Sequence, residues 1–177
     1  MKRIMLATIT CLAAAGVGTD SVRAEPEAEP ATSWINGTLS YSNLRRSDSA
    51  SGVRAAVGYD RMVADAISMG GRVGIARHAD GFGSSTLPYV GVRAAWWSAI
   101  GTESLLRVGG GAELWINSSS ETGIHGEPVF LHLLAEIGPR FRRGEWTIEV
   151  PVELGVMPYF DPPVYTLQIG LQLGRAL

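Results

Sequence analysis

Apolar side chains recur at every second residue from Trp34 towards the C-terminus, which is the period of a β-strand with one apolar face. No stretch of this region has the 3.6-residue spacing of an amphipathic helix. Glycine, proline, asparagine, aspartate and serine divide the alternating region into segments, as turn residues divide strands. The pattern therefore predicts eight strands, at roughly 34–42, 52–62, 66–77, 87–97, 104–116, 128–141, 145–157 and 164–174.

The positions between the apolar ones carry long charged side chains together with many glycines. A soluble sandwich would turn bulky apolar side chains inwards and has no reason to combine charges with glycines on one face. The interior of an eight-stranded barrel is just wide enough to be filled by side chains, so long groups there must alternate with very small ones. We therefore predict an ion network inside a barrel, formed by Arg54, Arg72, Arg93, Arg107, Glu113, His132, Glu136, Glu149 and Glu153.

Two more charged residues, Asp60 and Arg140, share the inward parity, and we expect them near one rim and outside the inner network. With them the inward parity has five basic and five acidic residues. The charges balance, which a narrow, plugged interior requires because an unpaired buried charge is strongly disfavoured. The bulky inward residues Trp97, Trp115 and Phe130 are expected to fill more of the same space.

Apolar-out, polar-in strands of this length are typical of transmembrane barrels. Short connections near 63–65, 98–102 and 142–144 alternate with longer polar ones near 43–51, 78–85 and 117–126, and the one at 158–163 is intermediate. Short periplasmic turns and longer outer loops are the expected asymmetry, which places both termini on the periplasmic side. Aromatic residues at strand ends predict two interface girdles, Tyr59, Trp96, Phe141 and Trp146 on the periplasmic side and Tyr41 and Tyr165 on the outer side.

The N-terminus has the pattern of an export signal. Lys2 and Arg3 precede an apolar run, and an A-x-A-like site at residues 22–24 predicts cleavage after Ala24. The acidic, proline-containing stretch that follows cannot bury enough apolar surface to fold. We therefore predict a signal peptide at 1–24, a disordered leader at 25–33 and an outer-membrane β-barrel at 34–177.

At the level of architecture the chain resembles the small OmpA/OmpX-type outer-membrane barrels over about 34–177. The last strand of that family usually ends in an aromatic residue, whereas this chain has Arg175 and ends at Leu177. The resemblance implies an all-β, eight-stranded antiparallel up-and-down transmembrane barrel in a bacterial outer membrane. It also implies outer-membrane lipid, lipopolysaccharide and the barrel-insertion machinery as partners.

Composition argues against several classes of function. The formal net charge of −2 and the absence of a basic stripe give no case for nucleic-acid binding. The single cysteine, Cys11, lies in the predicted signal peptide, so we expect no disulfide in the mature chain. Three scattered histidines do not supply a metal site, and we predict no cofactor.

The leading interpretation is a non-enzymatic barrel with a charge-balanced, largely plugged lumen, serving a structural, loop-presenting or narrow-pore role. The first alternative is a lipid-modifying barrel enzyme, a lipid A acyl hydrolase or transferase, using His132 as base. Hairpin arithmetic places Glu153 diagonal to His132, but no serine lies beside it on the inward parity. The second alternative is a soluble, exported ligand-binding barrel, which would carry its charges on the outside. The sequence indicates no particular surface partner or ligand.

Overall fold

The computed structural model describes residues 33–45, 49–80, 83–117 and 129–177. The predicted signal peptide and almost all of the predicted leader lie outside this part, and Ser33, the last residue of that leader, is the first residue of β1. The described residues form nine strands: β1 Ser33–Arg45, β2 Ser49–Ala64, β3 Ile67–Asp80, β4 Gly83–Ala99, β5 Ser104–Ile116, β6 Val129–Arg143, β7 Trp146–Glu149, β8 Val152–Met157 and β9 Val164–Ala176. Among the described residues, no helix is long and apolar enough to cross a membrane.

All strand pairings are antiparallel, and β1 pairs with β9, so the sheet closes on itself. β7 and β8 both lie between β6 and β9 and together form one strand of the barrel, interrupted at Val150 and Pro151. Proline has no backbone N–H for the ladder, which accounts for the break. The Pro151 carbonyl still accepts a hydrogen bond from Gly170 N on β9 at 3.0 Å, so the interrupted strand stays bonded to β9 at the break. The predicted closed barrel of eight antiparallel strands is confirmed.

The strands are strongly staggered around the barrel. From Ile35, successive partners run through Tyr59, Gly71, Val92, Ala112, Leu133, Val156 and Tyr165, and the path returns to β1 at Arg45, ten residues further along. Such a stagger is what tilts the strands of a small barrel and sets its narrow diameter.

Side chains alternate between buried and exposed along the strands, as in the burial pattern of β1. The exposed parity is the apolar one that the sequence predicts, with Val57 59% and Val92 68% exposed. The other parity points into the barrel and carries the charged residues. The charged groups of this barrel are therefore inside it, and its outer surface is apolar.

The two ends of the barrel differ. The connections 65–66, 100–103 and 144–145 lie at one end with Ser33 and Leu177, and we call it the turn end; we call the opposite end the loop end. There the strands run further than predicted: Asn43 pairs with Ser51 and His78 with Ser85, so the longer connections expected at 43–51 and 78–85 are wrong in their bounds. Backbone pairing does not need an apolar face, so the ladder continues after the apolar alternation ends. The connection expected at 117–126 lies outside the described residues beyond Asn117.

The barrel interior as candidate functional site

The inward-facing charged residues form two ion-pair clusters. We call the first the loop-end cluster, formed by Arg54, Arg72, Glu113, His132 and Glu153, and the second the turn-end cluster, formed by Asp60, Arg93, Arg107, Glu136, Arg140 and Glu149. Each of these eleven residues is at most 5% exposed. All nine residues predicted for the network are among them.

In the loop-end cluster, two arginines share two carboxylates. Glu113 accepts from Arg54 Nη2 at 2.8 Å and from Arg72 Nε at 2.7 Å. Glu153 accepts from Arg72 Nη1 at 2.6 Å and from Arg54 Nη1 at 3.2 Å. The guanidinium of Arg54 also lies 4.4 Å from the ring centre of Tyr89, where the face of the ring attracts a cation. Two positive and two negative groups thus compensate one another out of contact with solvent.

His132 belongs to this cluster, but its acidic partner is not the predicted one. The ring Nδ1 donates to Glu113 Oε2 at 2.9 Å, and Glu113 lies directly opposite His132 on β5. Glu153 instead lies opposite Glu136, four residues from His132 along β6, so the predicted diagonal placement is wrong. The error lies in the register across the β6–β7 turn, where Arg143 pairs with Trp146.

The other ring nitrogen of His132, Nε2, lies 2.8 Å from Thr166 Oγ1 on β9. Threonine, histidine and carboxylate therefore form a chain of the kind that activates a hydroxyl nucleophile. Thr166 is 3% and His132 0% exposed, so no substrate reaches the hydroxyl in this conformation. Thr166 was missed in the sequence, where only a serine was expected as nucleophile, although its inward parity indicates it.

The turn-end cluster contains three arginines and three acids. Arg93 binds Asp60 through Nε at 2.9 Å and Nη2 at 2.5 Å. Arg140 donates to Glu149 from both Nε and Nη2, at 3.0 and 2.8 Å. Asp60 and Arg140, which we expected outside the inner network, are therefore integral to it, because both turn away from the rim into the barrel.

Arg107 joins Glu149 and Glu136 within the same cluster. Its Nη1 donates to Glu149 Oε1 at 3.3 Å, and its Nη2 lies 2.6 Å from Glu136 Oε1. The second contact is an ion pair by distance but is not aligned as a hydrogen bond. Glu136 is thus held by charge alone.

Glycines on intervening strands let charged side chains on either side meet. Gly70 on β3 pairs with both Asp60 and Arg93, and a Cβ there would run into the Asp60 carboxylate. Gly91 on β4 stands in the same way between Arg72 and Glu113. The side-chain volume missing at these glycines is the space through which the ion pairs form.

Aromatic and aliphatic side chains lie beyond each cluster. At the loop end, a buried group contains Leu44, Leu87, Trp115, Phe130, Met157 and Val164, with Phe160 of the β8–β9 connection packed against it. At the turn end, Trp34 and Trp97 lie with their ring centres 6.3 Å apart, and the guanidinium of Arg140 is 4.0 Å from the Trp97 ring centre. Trp34 was missed in the sequence, although its inward parity indicates it.

The six aromatic residues predicted for the interface girdles project from the outer surface of the barrel and are 45–59% exposed: Tyr41, Tyr59, Trp96, Phe141, Trp146 and Tyr165. Trp96, Phe141 and Trp146 lie within a few residues of the turns at the turn end, whereas Tyr165 is the second residue of β9 at the loop end.

No protein-family model and no curated protein sequence matches this chain. Among solved structures, it is similar to Neisserial surface protein A, with a TM-score of 0.66 and 10% identity over 82% of this chain and 97% of that one. It is also similar to Ail, the attachment invasion locus protein of Yersinia pestis, with a TM-score of 0.54 and 15% identity over 84% of this chain and 100% of that one. At these identities the likeness establishes a shared fold.

Proposed function

We propose that this chain is an exported outer-membrane β-barrel whose lumen is closed to solutes, and that its role is structural or the presentation of its loops. The observation that carries the proposal is the reversal of polarity: charged groups are buried and paired inside, and apolar groups are exposed outside. Water would not favour that surface, whereas the hydrocarbon of a bilayer does. The same reversal disfavours a soluble, exported ligand-binding barrel.

Closure of the lumen is supported by what fills it. A water-filled pore has no need to pair its charges, because water screens them, whereas a filled interior does. Ten charged inward side chains are paired in this barrel, and aromatic residues lie beyond them at both ends.

Single-channel conductance in a planar bilayer tests this proposal. The full mature chain, refolded and inserted, should give no stable porin-like conductance across repeated insertions. Insertion is verified independently by the heat-modifiable gel mobility of folded barrels. A large and steady conductance would contradict the closed lumen and make the protein a diffusion channel.

We favour a non-enzymatic role over a lipid-modifying enzyme because of the burial of the His132 chain. Thr166 and His132 are at most 3% exposed, and the ring of Trp115 packs 5.3 Å from that of His132, so the chain is not open to a lipid acyl group. Hydrolysis of lipid or short-chain ester substrates by the wild type that is abolished in His132→Gln would instead support the enzyme.

Localisation and partners belong to the same proposal. We expect cleavage after Ala24, a mature N-terminus at Glu25 and recovery in the detergent-extracted outer-membrane fraction. Arg45 and Arg77 face outwards near the loop end, where arginine pairs well with lipopolysaccharide phosphates. The alternating strand β9 would present the insertion signal to the barrel-insertion machinery. Recovery as soluble periplasmic protein without detergent would contradict the membrane location.

A further inference from the structure

Three inward side chains form a row across neighbouring strands at mid-height of the barrel. Glu136 on β6 lies opposite Glu153 on β8, and Glu153 lies opposite Gln168 on β9. Directly opposite residues in antiparallel strands have their Cβ atoms about 4.5–5.5 Å apart, so the three side chains are neighbours. The row joins the two clusters, because Glu153 belongs to the loop-end cluster and Glu136 to the turn-end cluster.

The middle and the flanks of this row differ in hydrogen bonding. Both oxygens of Glu153 accept from arginines. Oε1 and Nε2 of Gln168 make no hydrogen bond with the protein, and neither do the two oxygens of Glu136, whose Oε1 has only its ion pair with Arg107 at 2.6 Å. Gln168 is 1% and Glu136 4% exposed, so bulk solvent does not satisfy them. Nε of Arg54, whose Nη1 donates to Glu153, is also without a hydrogen bond.

Buried polar groups are nearly always hydrogen-bonded, and each one left bare costs roughly as much as a lost hydrogen bond. We infer that the row Glu136–Glu153–Gln168 is a binding site for ordered water, which bonds to Gln168 and Glu136 and links the two ion-pair clusters. A buried water needs two to four polar partners, and the row and Arg54 Nε offer at least that number.

The chemistry of the free atoms selects water over an ion. Gln168 Nε2 and Arg54 Nε are donors, whereas Gln168 Oε1 and the Glu136 oxygens are acceptors. A cation would be repelled by the donors, and it would add a charge to clusters that are already balanced. An anion would face the carboxylates of Glu136 and Glu153. Water donates and accepts and carries no charge, so it satisfies both kinds of atom.

The chain offers a matched control in Gln172, four residues further along β9 on the same inward parity. Its Oε1 accepts from Thr38 at 3.1 Å and from Arg93 at 3.3 Å, and its Nε2 donates to Glu149 at 3.2 Å. Gln172 is therefore satisfied by protein atoms, whereas Gln168 is not.

Two measurements on the full mature barrel test the inference. In NMR spectra of the protein in micelles or nanodiscs, the side-chain amide of Gln168 should show direct magnetisation transfer from water, and that of Gln172 should show none. In a high-resolution crystal structure, density for water should lie about 2.7–3.2 Å from Gln168 and Glu136. In the Gln168→Leu variant the water next to residue 168 should be lost while the Gln172 amide signal stays unchanged.

Each other outcome overturns the inference. No water contact at the Gln168 amide, with no density in the crystal, would show that the row is dry. An anomalous signal at the row in crystals soaked with rubidium or caesium would show that a cation occupies it. Both readouts are independent of conductance, so they test the water site separately from the proposal of a closed lumen.

Discussion

Replacement of Glu113 by glutamine tests whether the interior charges are as poorly solvated as their burial indicates. The Glu113 carboxylate accepts hydrogen bonds from four groups: Arg54 at 2.8 Å, Arg72 at 2.7 Å, His132 Nδ1 at 2.9 Å and Trp115 Nε1 at 2.8 Å. Glutamine keeps the shape but removes the charge. Two arginines are then left with only the carboxylate of Glu153, and the loop-end cluster has a net positive charge.

The expected cost follows from that uncompensated charge. Removing one member of a buried ion pair destabilises a protein by about 3–5 kcal/mol. The folded-to-unfolded ratio should therefore fall by roughly two to four orders of magnitude. Hydrogen-bond acceptance by the glutamine oxygen should keep the loss near the lower end of that range.

Urea titration of the barrel refolded in lipid vesicles measures this cost, followed by tryptophan fluorescence and by gel mobility of the unheated protein. The matched control is Glu145→Gln, which breaks the pair of Glu145 with Arg175 at 3.0 Å, where both side chains are at least 60% exposed. Such surface pairs contribute about 0–1 kcal/mol, so this variant should unfold nearly as the wild type does.

A double variant separates charge imbalance from simple loss of contacts. Glu113→Gln with Arg72→Gln restores the balance of the loop-end cluster, with Arg54 facing Glu153. It should be more stable than the sum of the two single changes predicts. Equal urea midpoints for Glu113→Gln and Glu145→Gln would refute the reasoning and show that water screens the interior.

The remaining predictions concern the outer face and the packing of the interior. Leu133→Arg and Val152→Arg should each lower the free energy of unfolding by about 2–4 kcal/mol and slow insertion into vesicles. Val63→Arg beside the β2–β3 turn should lower it by at most about 1 kcal/mol. Equal unfolding midpoints for the three variants would contradict the assigned lipid face. Gly155→Ala should destabilise by about 1–3 kcal/mol, because its methyl group would overlap His132 Nε2 and lie 2.5 Å from Thr166 Oγ1. Gly37→Ala, where no atom lies within 4 Å, should leave the thermal midpoint unchanged or raise it, and a loss there equal to that of Gly155→Ala would argue against the clash.

The parity of the strands was predictable because it depends only on local alternation. Every residue predicted for the network turns inwards, and the thin apolar face of β1, formed by Ile35, Gly37, Leu39 and Tyr41, turns outwards. The strand ends at the loop end were harder to predict, because Asn43 and His78 pair through their backbones where the side-chain pattern is no longer apolar. The break at Val150 and Pro151 was also missed, although proline indicates it.

The ion pairs themselves were harder to predict than the residues that form them. Pairing depends on register, and an error in one turn moves every partner, as the placement of Glu153 beside His132 shows. Contacts across the lumen, such as Arg54 on β2 with Glu153 on β8, depend on the stagger of the whole barrel. No local pattern in the sequence contains that stagger.

One class of pair could nevertheless be found in part from the sequence. The β2–β3 and β4–β5 turns are short, and short turns fix the register of the strands that they join. They place Gly70 opposite Asp60 and Gly91 opposite Glu113. The second neighbours of these glycines, Arg93 and Arg72, follow from the β3–β4 register that the structure adds. A glycine on a strand has no side chain to separate the residues opposite it on the two neighbouring strands. An acid and a base at those two positions can therefore contact each other. The glycines on the polar parity therefore mark which charges are partners, as well as making room for them.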